Sequence, residues 1–70
     1  METVKIHTES ITLGQFLKFV NLASSGGEVK ALLAEGNIRV DGTVEIRRGR
    51  KLYPGMTVTV GTGQHYRIAS

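Results

Sequence analysis

Apolar and polar residues alternate with two different periods, and the change from one to the other organises the chain. Thr3 to His7 alternates, with Val4 and Ile6 on one face and Lys5 on the other, the pattern of a short half-buried strand. Leu13, Phe16, Leu17 and Val20 then recur at the spacing of one helix face, and Thr12-Leu13-Gly14-Gln15 has the spacing of a capping box. Lys18 points outward, while Phe19 either flanks the core or stays partly exposed. This helix is expected to end at Asn21-Leu22. Ser24-Ser25-Gly26-Gly27 makes a tight connection to a second helix, with Ser25 as its N-cap and Glu28 completing a second capping box. Val29, Leu32 and Leu33 form its apolar stripe, and Gly36 suits the left-handed position after its end.

From Ile38 the side chains alternate. Ile38 and Val40 point one way and Arg39 the other, Asp41-Gly42 signals a two-residue hairpin, and Val44 and Ile46 continue the alternation on the returning strand. A basic run interrupts it, Leu52 returns to the core, and Pro54-Gly55 marks another turn. Met56, Val58 and Val60 alternate with Thr57 and Thr59. After Gly61-Thr62-Gly63, Tyr66 and Ile68 predict a last strand able to pair with the first. The expected fold is α+β: two short packed helices against a small, mainly antiparallel sheet, with residues 1–70 forming a single domain.

Composition narrows the chemistry. The chain has no cysteine, which excludes disulfides and thiolate metal sites, and His7 and His65 lack an obvious third ligand. No cofactor is expected. Met1-Glu2-Thr3-Val4-Lys5 lacks the apolar run of a signal peptide, and no stretch is long enough to span a membrane. A cytoplasmic location is expected, away from membranes. No Ser–His–Asp set, paired carboxylates or Walker-type phosphate loop is present, so no enzymatic activity is expected.

The net charge of +3 is unevenly placed. Residues 1–35 carry three lysines against four glutamates, whereas residues 36–70 carry five arginines and one lysine against Asp41 and Glu45. That asymmetry points to a polyanion-facing side. Arg47, Arg48, Arg50 and Lys51 put four positive charges into five residues around Gly49. This density favours an anion site over a solvated loop or a protected sheet edge. Gly26 and Gly27 stand where a helix offers unpaired amides to an anion, and Lys30 can reach the same place; the glycines equally suit a tight interhelical turn. Arg39 either extends the patch or is an ordinary exposed strand residue. His65, Tyr53 and Tyr66 offer rings for stacking, although core or rim packing is their more usual role.

Four stretches carry a family resemblance: Leu13-Gly14-Gln15-Phe16-Leu17, Ser25-Gly26-Gly27-Glu28-Val29-Lys30, Gly36-Asn37-Ile38-Arg39-Val40-Asp41-Gly42 and Leu52-Tyr53-Pro54-Gly55. Over about Ile11 to Val60 the chain resembles the alpha-L RNA-binding motif, the S-four type domain. It is most similar to the small stand-alone bacterial YaaA/YbcJ-like group, whose Ser-Gly-Gly turn, following lysine and basic segment are matched by Ser25, Gly26, Gly27, Lys30 and Arg47-Arg48-Gly49-Arg50-Lys51-Leu52. Many members of the broader family carry arginines where this chain has Ser24 and Gly26.

The resemblance implies a bacterial, monomeric, non-catalytic protein binding structured RNA, above all ribosomal RNA. The RNA-binding residues would be Ser25, Gly26, Gly27, Lys30, Arg39, Arg47, Arg48, Arg50 and Lys51. The competing expectation is a protein-interaction module docking on a ribosomal protein or another acidic partner. A β-grasp-like group carrier is disfavoured by the ending Ile68-Ala69-Ser70, and no helix carries a row of side chains suited to reading DNA bases.

Overall fold

A computed structural model describes residues 1–70. Strand β1 (Glu2–Lys5) leads through a loop to the two-residue β2 (Ile11–Thr12), which runs directly into helix α1 (Leu13–Phe19) and then α2 (Gly26–Ala34). Strands β3 (Ile38–Val40), β4 (Thr43–Val44), β5 (Lys51–Leu52), β6 (Thr57–Val60) and β7 (Gln64–Ala69) complete the chain. The main sheet has the order β1-β7-β6-β3-β4. Its pairings are antiparallel except that of β1 with β7, the first and last strands, which is parallel. A second, two-stranded ladder joins β2 to β5.

The helices start where the capping chemistry places them. Thr12 accepts a hydrogen bond from the Gln15 amide while the Gln15 side chain accepts from the Thr12 amide, closing the first box. Ser25 Oγ caps α2 by accepting from the Glu28 amide. The Glu28 carboxylate differs from the expected box: it reaches past Ser25 to the amide and hydroxyl of Ser24, which together offer it two donors. These bonds, the hydroxyl's first, lower the Glu28 pKa. Helix α1 stops at Phe19, earlier than Asn21-Leu22. Asn21 turns left-handed at φ 63°, and the amides of Leu22 and Ala23 both fold back onto the Leu17 carbonyl.

Packing fills the space between the helices and one face of the sheet. Phe16, Leu13 and Leu17 from α1 and Val29 and Leu33 from α2 meet Ile38, Val40, Leu52, Val58, Tyr66 and Ile68 in one buried cluster. Phe16 and Tyr66 pack edge to face with ring centroids 5.4 Å apart. Leu32 and Val20 are only partly buried, and Phe19 is exposed.

The hairpin at Asp41-Gly42 has φ of 50° and 86°, the two positive values of a type I′ turn. Its Asp41 carboxylate also accepts from the amide and hydroxyl of Thr57 on β6. A two-residue turn pairs Val40 with Thr43 and Arg39 with Val44, which puts Val44 on Arg39's face. Val44 and Ile46 are therefore exposed rather than core residues, and the side chain that turns inward between them is Glu45, only 7 % exposed.

Gly14 fixes how the chain between β4 and β5 sits on α1. The first amides of a helix lack intrahelical partners; here Leu13 N–H donates to the Arg50 carbonyl at 2.8 Å and Gly14 N–H to the Arg48 carbonyl at 2.9 Å. A β-carbon on Gly14 would lie 3.4 Å from the Cβ and carbonyl oxygen of Arg48 and 3.5 Å from Val29 Cγ1. One methyl group just fits, so Gly14→Ala should alter stability by less than about 1 kcal/mol, helix preference offsetting the tight contact. Gly14→Leu should cost about 1–3 kcal/mol through overpacking. Thermal melting of both variants checks this size limit; equal melting temperatures would show that the loop does not press on α1.

Candidate nucleic-acid interface

Glu45 is the centre on which the basic loop is wound. Its Oε2 accepts from the amides of Ile46 and Arg47, each at 3.1 Å, and from Arg47 Nε at 3.0 Å. Its Oε1 accepts from Arg47 Nη2 at 3.1 Å and Arg50 Nη1 at 3.0 Å. A carboxylate out of water needs this many donors to stay charged. The Arg47 guanidinium and then its amide, with help from Arg50, hold the Glu45 pKa down to about 2 against the opposing effect of burial. Glu45 gave no signal in the alternation, because Val44 and Ile46 on either side suggest that it faces solvent. Its signal is instead a lone acid placed two and five residues before arginines.

The expected cluster of four equivalent cations is thereby divided. Arg47 and Arg50 form the chain's two ion pairs, both to Glu45, although the Arg47 side chain remains 73 % exposed. Arg48 and Lys51 are exposed and make no ion pair. Lys51 lies opposite Thr12 in the β2–β5 ladder, beside the start of α1.

Arg48 is the residue that meets the second helix. A β-carbon on Gly26 would lie 4.0 Å from Arg48 Nη1, so the guanidinium stands over the first residue of α2. Two hollows open beside it. One, of about 300 Å³, is lined by Gly14, Gln15, Lys18, Gly26 and Gly49 as well as Arg48. The other, of about 290 Å³, is lined by Arg48, Lys30, Leu33 and Ile46. Lys18, Arg48 and Lys30 thus border one continuous stretch of surface. Lys18 was not among the expected site residues; its signal is the four-residue step from Gly14, which places it on the same side of α1.

The glycines of the α2 turn leave the amides of Gly26 and Gly27 at the positive end of the helix without acceptors in the chain. Ser25 occupies its hydroxyl oxygen in the cap, and the Glu28 carboxylate is turned back to Ser24. Arg39 lies elsewhere. It lines a separate groove with Asn37, Thr59 and His65 on the outer face of the sheet and shares neither hollow with Arg48. Tyr66 is core, Tyr53 is exposed beside the Pro54-Gly55 turn, and His65 stands on the sheet. No group of three potential metal ligands is present, and no helix is long and apolar enough to cross a membrane.

Comparison with known proteins places this geometry in a family. The family model for the S4 domain matches residues 4–69, nearly the whole chain. The chain belongs to the S4 domain family. A relative in Bacillus subtilis, named as a probable ribosome maturation protein RlbA, is 47% identical over 57 residues, covering 81% of this chain and 80% of the relative. The putative RNA-binding protein YbcJ of Escherichia coli is 39% identical over 49 residues, 70% of each chain. These comparisons support the S4 assignment and the α+β architecture described above.

Glu45 yields a pH-dependent prediction for this S4 domain. Its folded pKa of about 2 lies below the ordinary value of 4.5. The stabilisation is therefore complete above about pH 4.5 and is lost as pH falls toward about 2. Glu45→Gln should remove about 1–2 kcal/mol at pH 7, reduced from the full shift because the arginine partners are partly in water. That corresponds to a melting temperature lower by roughly 4–16 °C for a chain this small. The gap from wild type should narrow below pH 4. Melting curves across pH 2–7 check it, and curves that coincide throughout would show that the carboxylate does not hold the loop.

Proposed function

We propose that this chain is a non-catalytic cytoplasmic protein that binds structured RNA, ribosomal RNA foremost, by gripping its phosphates at the junction of α2 and the basic loop. The observation that carries this reading is the position of Arg48 over Gly26, between the hollows bordered by Lys18 and Lys30. A guanidinium there can form a bidentate pair with a phosphate oxygen set, while the Gly26 and Gly27 amides face the same anion from the helix end. Lys51 and the exposed edge of Arg47 extend the positive surface along the loop. The absence of side chains at Gly26, Gly27 and Gly49 lets a sugar–phosphate backbone approach closely.

Recognition through charge and shape fits the residues better than base reading. Structured RNA is met mainly through phosphates and 2′-hydroxyls, whereas unpaired bases need aromatic platforms, and neither hollow beside Arg48 is lined by an aromatic residue. The names of the relatives, a probable ribosome maturation protein and a putative RNA-binding protein, support RNA as the ligand and the ribosome as its source.

Arg48→Ala tests the site, because alanine keeps the β-carbon that packs on Gly14 and removes the exposed stem and guanidinium beyond it. Binding to purified ribosomal RNA, measured between 50 and 200 mM KCl, should weaken by about tenfold, and its logarithmic salt slope should flatten by roughly 1. The melting temperature should stay within about 3 °C of wild type. Unchanged affinity and slope would remove Arg48 from the interface and favour a protein partner instead.

A further inference from the structure

The main sheet is packed on one side only. The alternation that turns Ile38, Val40, Val58, Tyr66 and Ile68 toward the helices turns Arg39, Thr57, Thr59, His65 and Arg67 the other way, where no element covers them. Strand register arranges these outward residues in rows. Arg39 lies beside Thr59 and Thr59 beside His65; one step along, Thr57 lies beside Arg67 and Arg67 beside Thr3. Lys5, two residues after Thr3 on β1, continues the outward side. From ordinary sheet spacings Arg39 and Arg67 are about 12 Å apart and Arg67 and Lys5 about 8 Å apart, a diagonal of three cations.

The charge on this face is almost unopposed. Of the six carboxylates, Asp41 alone borders it, and its oxygen is already bonded by the amide and hydroxyl of Thr57. Glu2 pairs with Tyr66 and so turns to the other side. Glu28 and Glu35 belong to α2 and its cap, Glu9 to the loop after β1, and Glu45 to the basic loop. Between Arg39, Thr59 and His65 lies a groove of about 470 Å³ with no apolar lining residue. Thr59 Oγ1 stands 3.3 Å from His65 Nδ1, so hydroxyl and imidazole lie side by side in its lining. Three cations with neighbouring hydroxyls, one bordering carboxylate and no ring but that of His65 suit a phosphate backbone more than a run of stacked bases.

We propose that the outer face of the sheet is a second RNA-binding surface, which holds phosphates through Arg39, Arg67 and Lys5. It shares with the α2–loop site the class of ligand but none of its residues. It lies across the sheet from that site, so a chain with Cα extents of only 28 × 22 × 18 Å contacts RNA on two sides. Such a protein can bring two RNA segments together, a different task from docking on one.

Amide chemical shifts of the whole chain, titrated with a 20-base-pair RNA duplex, separate the two surfaces. Shifts at Arg39, Thr59, His65 and Arg67 as well as around Gly26 and Arg48 are expected. Arg39→Glu combined with Arg67→Glu should abolish the first set, lower affinity by about tenfold or more, and flatten the salt slope by roughly 2. Both positions are exposed, and an unchanged spectrum of the free variant would show that its fold is intact. Shifts confined to Gly26, Lys30 and the loop would overturn the second surface and leave the first. Shifts confined to the sheet would do the reverse, and no shifts at all would overturn both.

Discussion

A single buried carboxylate decides where the positive charge of this protein goes. Glu45 follows β4 directly with its side chain turned inward, and five donors from Ile46, Arg47 and Arg50 gather around it. Two of them are backbone amides, so the contact sets the path of the chain as well as the charge. Carbonyls of Arg48 and Arg50 then bind the first amides of α1, and the loop closes against the helix along the bare surface of Gly14. A seven-residue helix gains little from its own hydrogen bonds. Its start is secured by the Thr12 box, by the loop carbonyls and by the burial of Leu13, Phe16 and Leu17.

The same arrangement divides labour among neighbouring cations. Arg47 and Arg50 hold the loop through Glu45, while Arg48, between them in sequence, is left to face solvent over the start of α2. A loop of identical composition without Glu45 would carry more net charge but would fix none of it. Ordering a flexible arginine costs conformational entropy on binding. In a loop already pinned at both ends, less of that cost would remain for the proposed phosphate contact. Lys18 and Lys30 need no such device, because each projects from a helix.

Much of the fold is legible from local chemistry. The Thr12 box, the Ser25 cap, the left-handed Gly36, the Asp41-Gly42 turn and the Tyr53-to-Met56 turn all involve residues within a few positions of one another. The register of β4 is also implied by the two-residue turn: if Val40 faces Thr43, Val44 must share Arg39's side. The alternation of Val44 and Ile46 alone does not say which face is inward, and so it hides Glu45 between them. What local pattern does not contain is the pairing of β2 with β5, whose strands of two residues have no periodicity to detect, and whose formation carries the loop to α1. The site was legible as a set of residue types near a glycine-rich helix start. The division into pinned and free arginines, the place of Lys18 and the separation of Arg39 depend on that long-range pairing and on the twofold alternation of the sheet.

In the proposed function, RNA meets the protein where Arg48 crosses the beginning of α2. Ultraviolet crosslinking in intact bacterial cells, followed by mass spectrometry of RNA-linked peptides, tests it whichever RNA is bound. Nucleotide adducts are expected within residues 24–30 and 45–51. RNA-linked peptides that exclude both segments, or none above the unirradiated control, would contradict it.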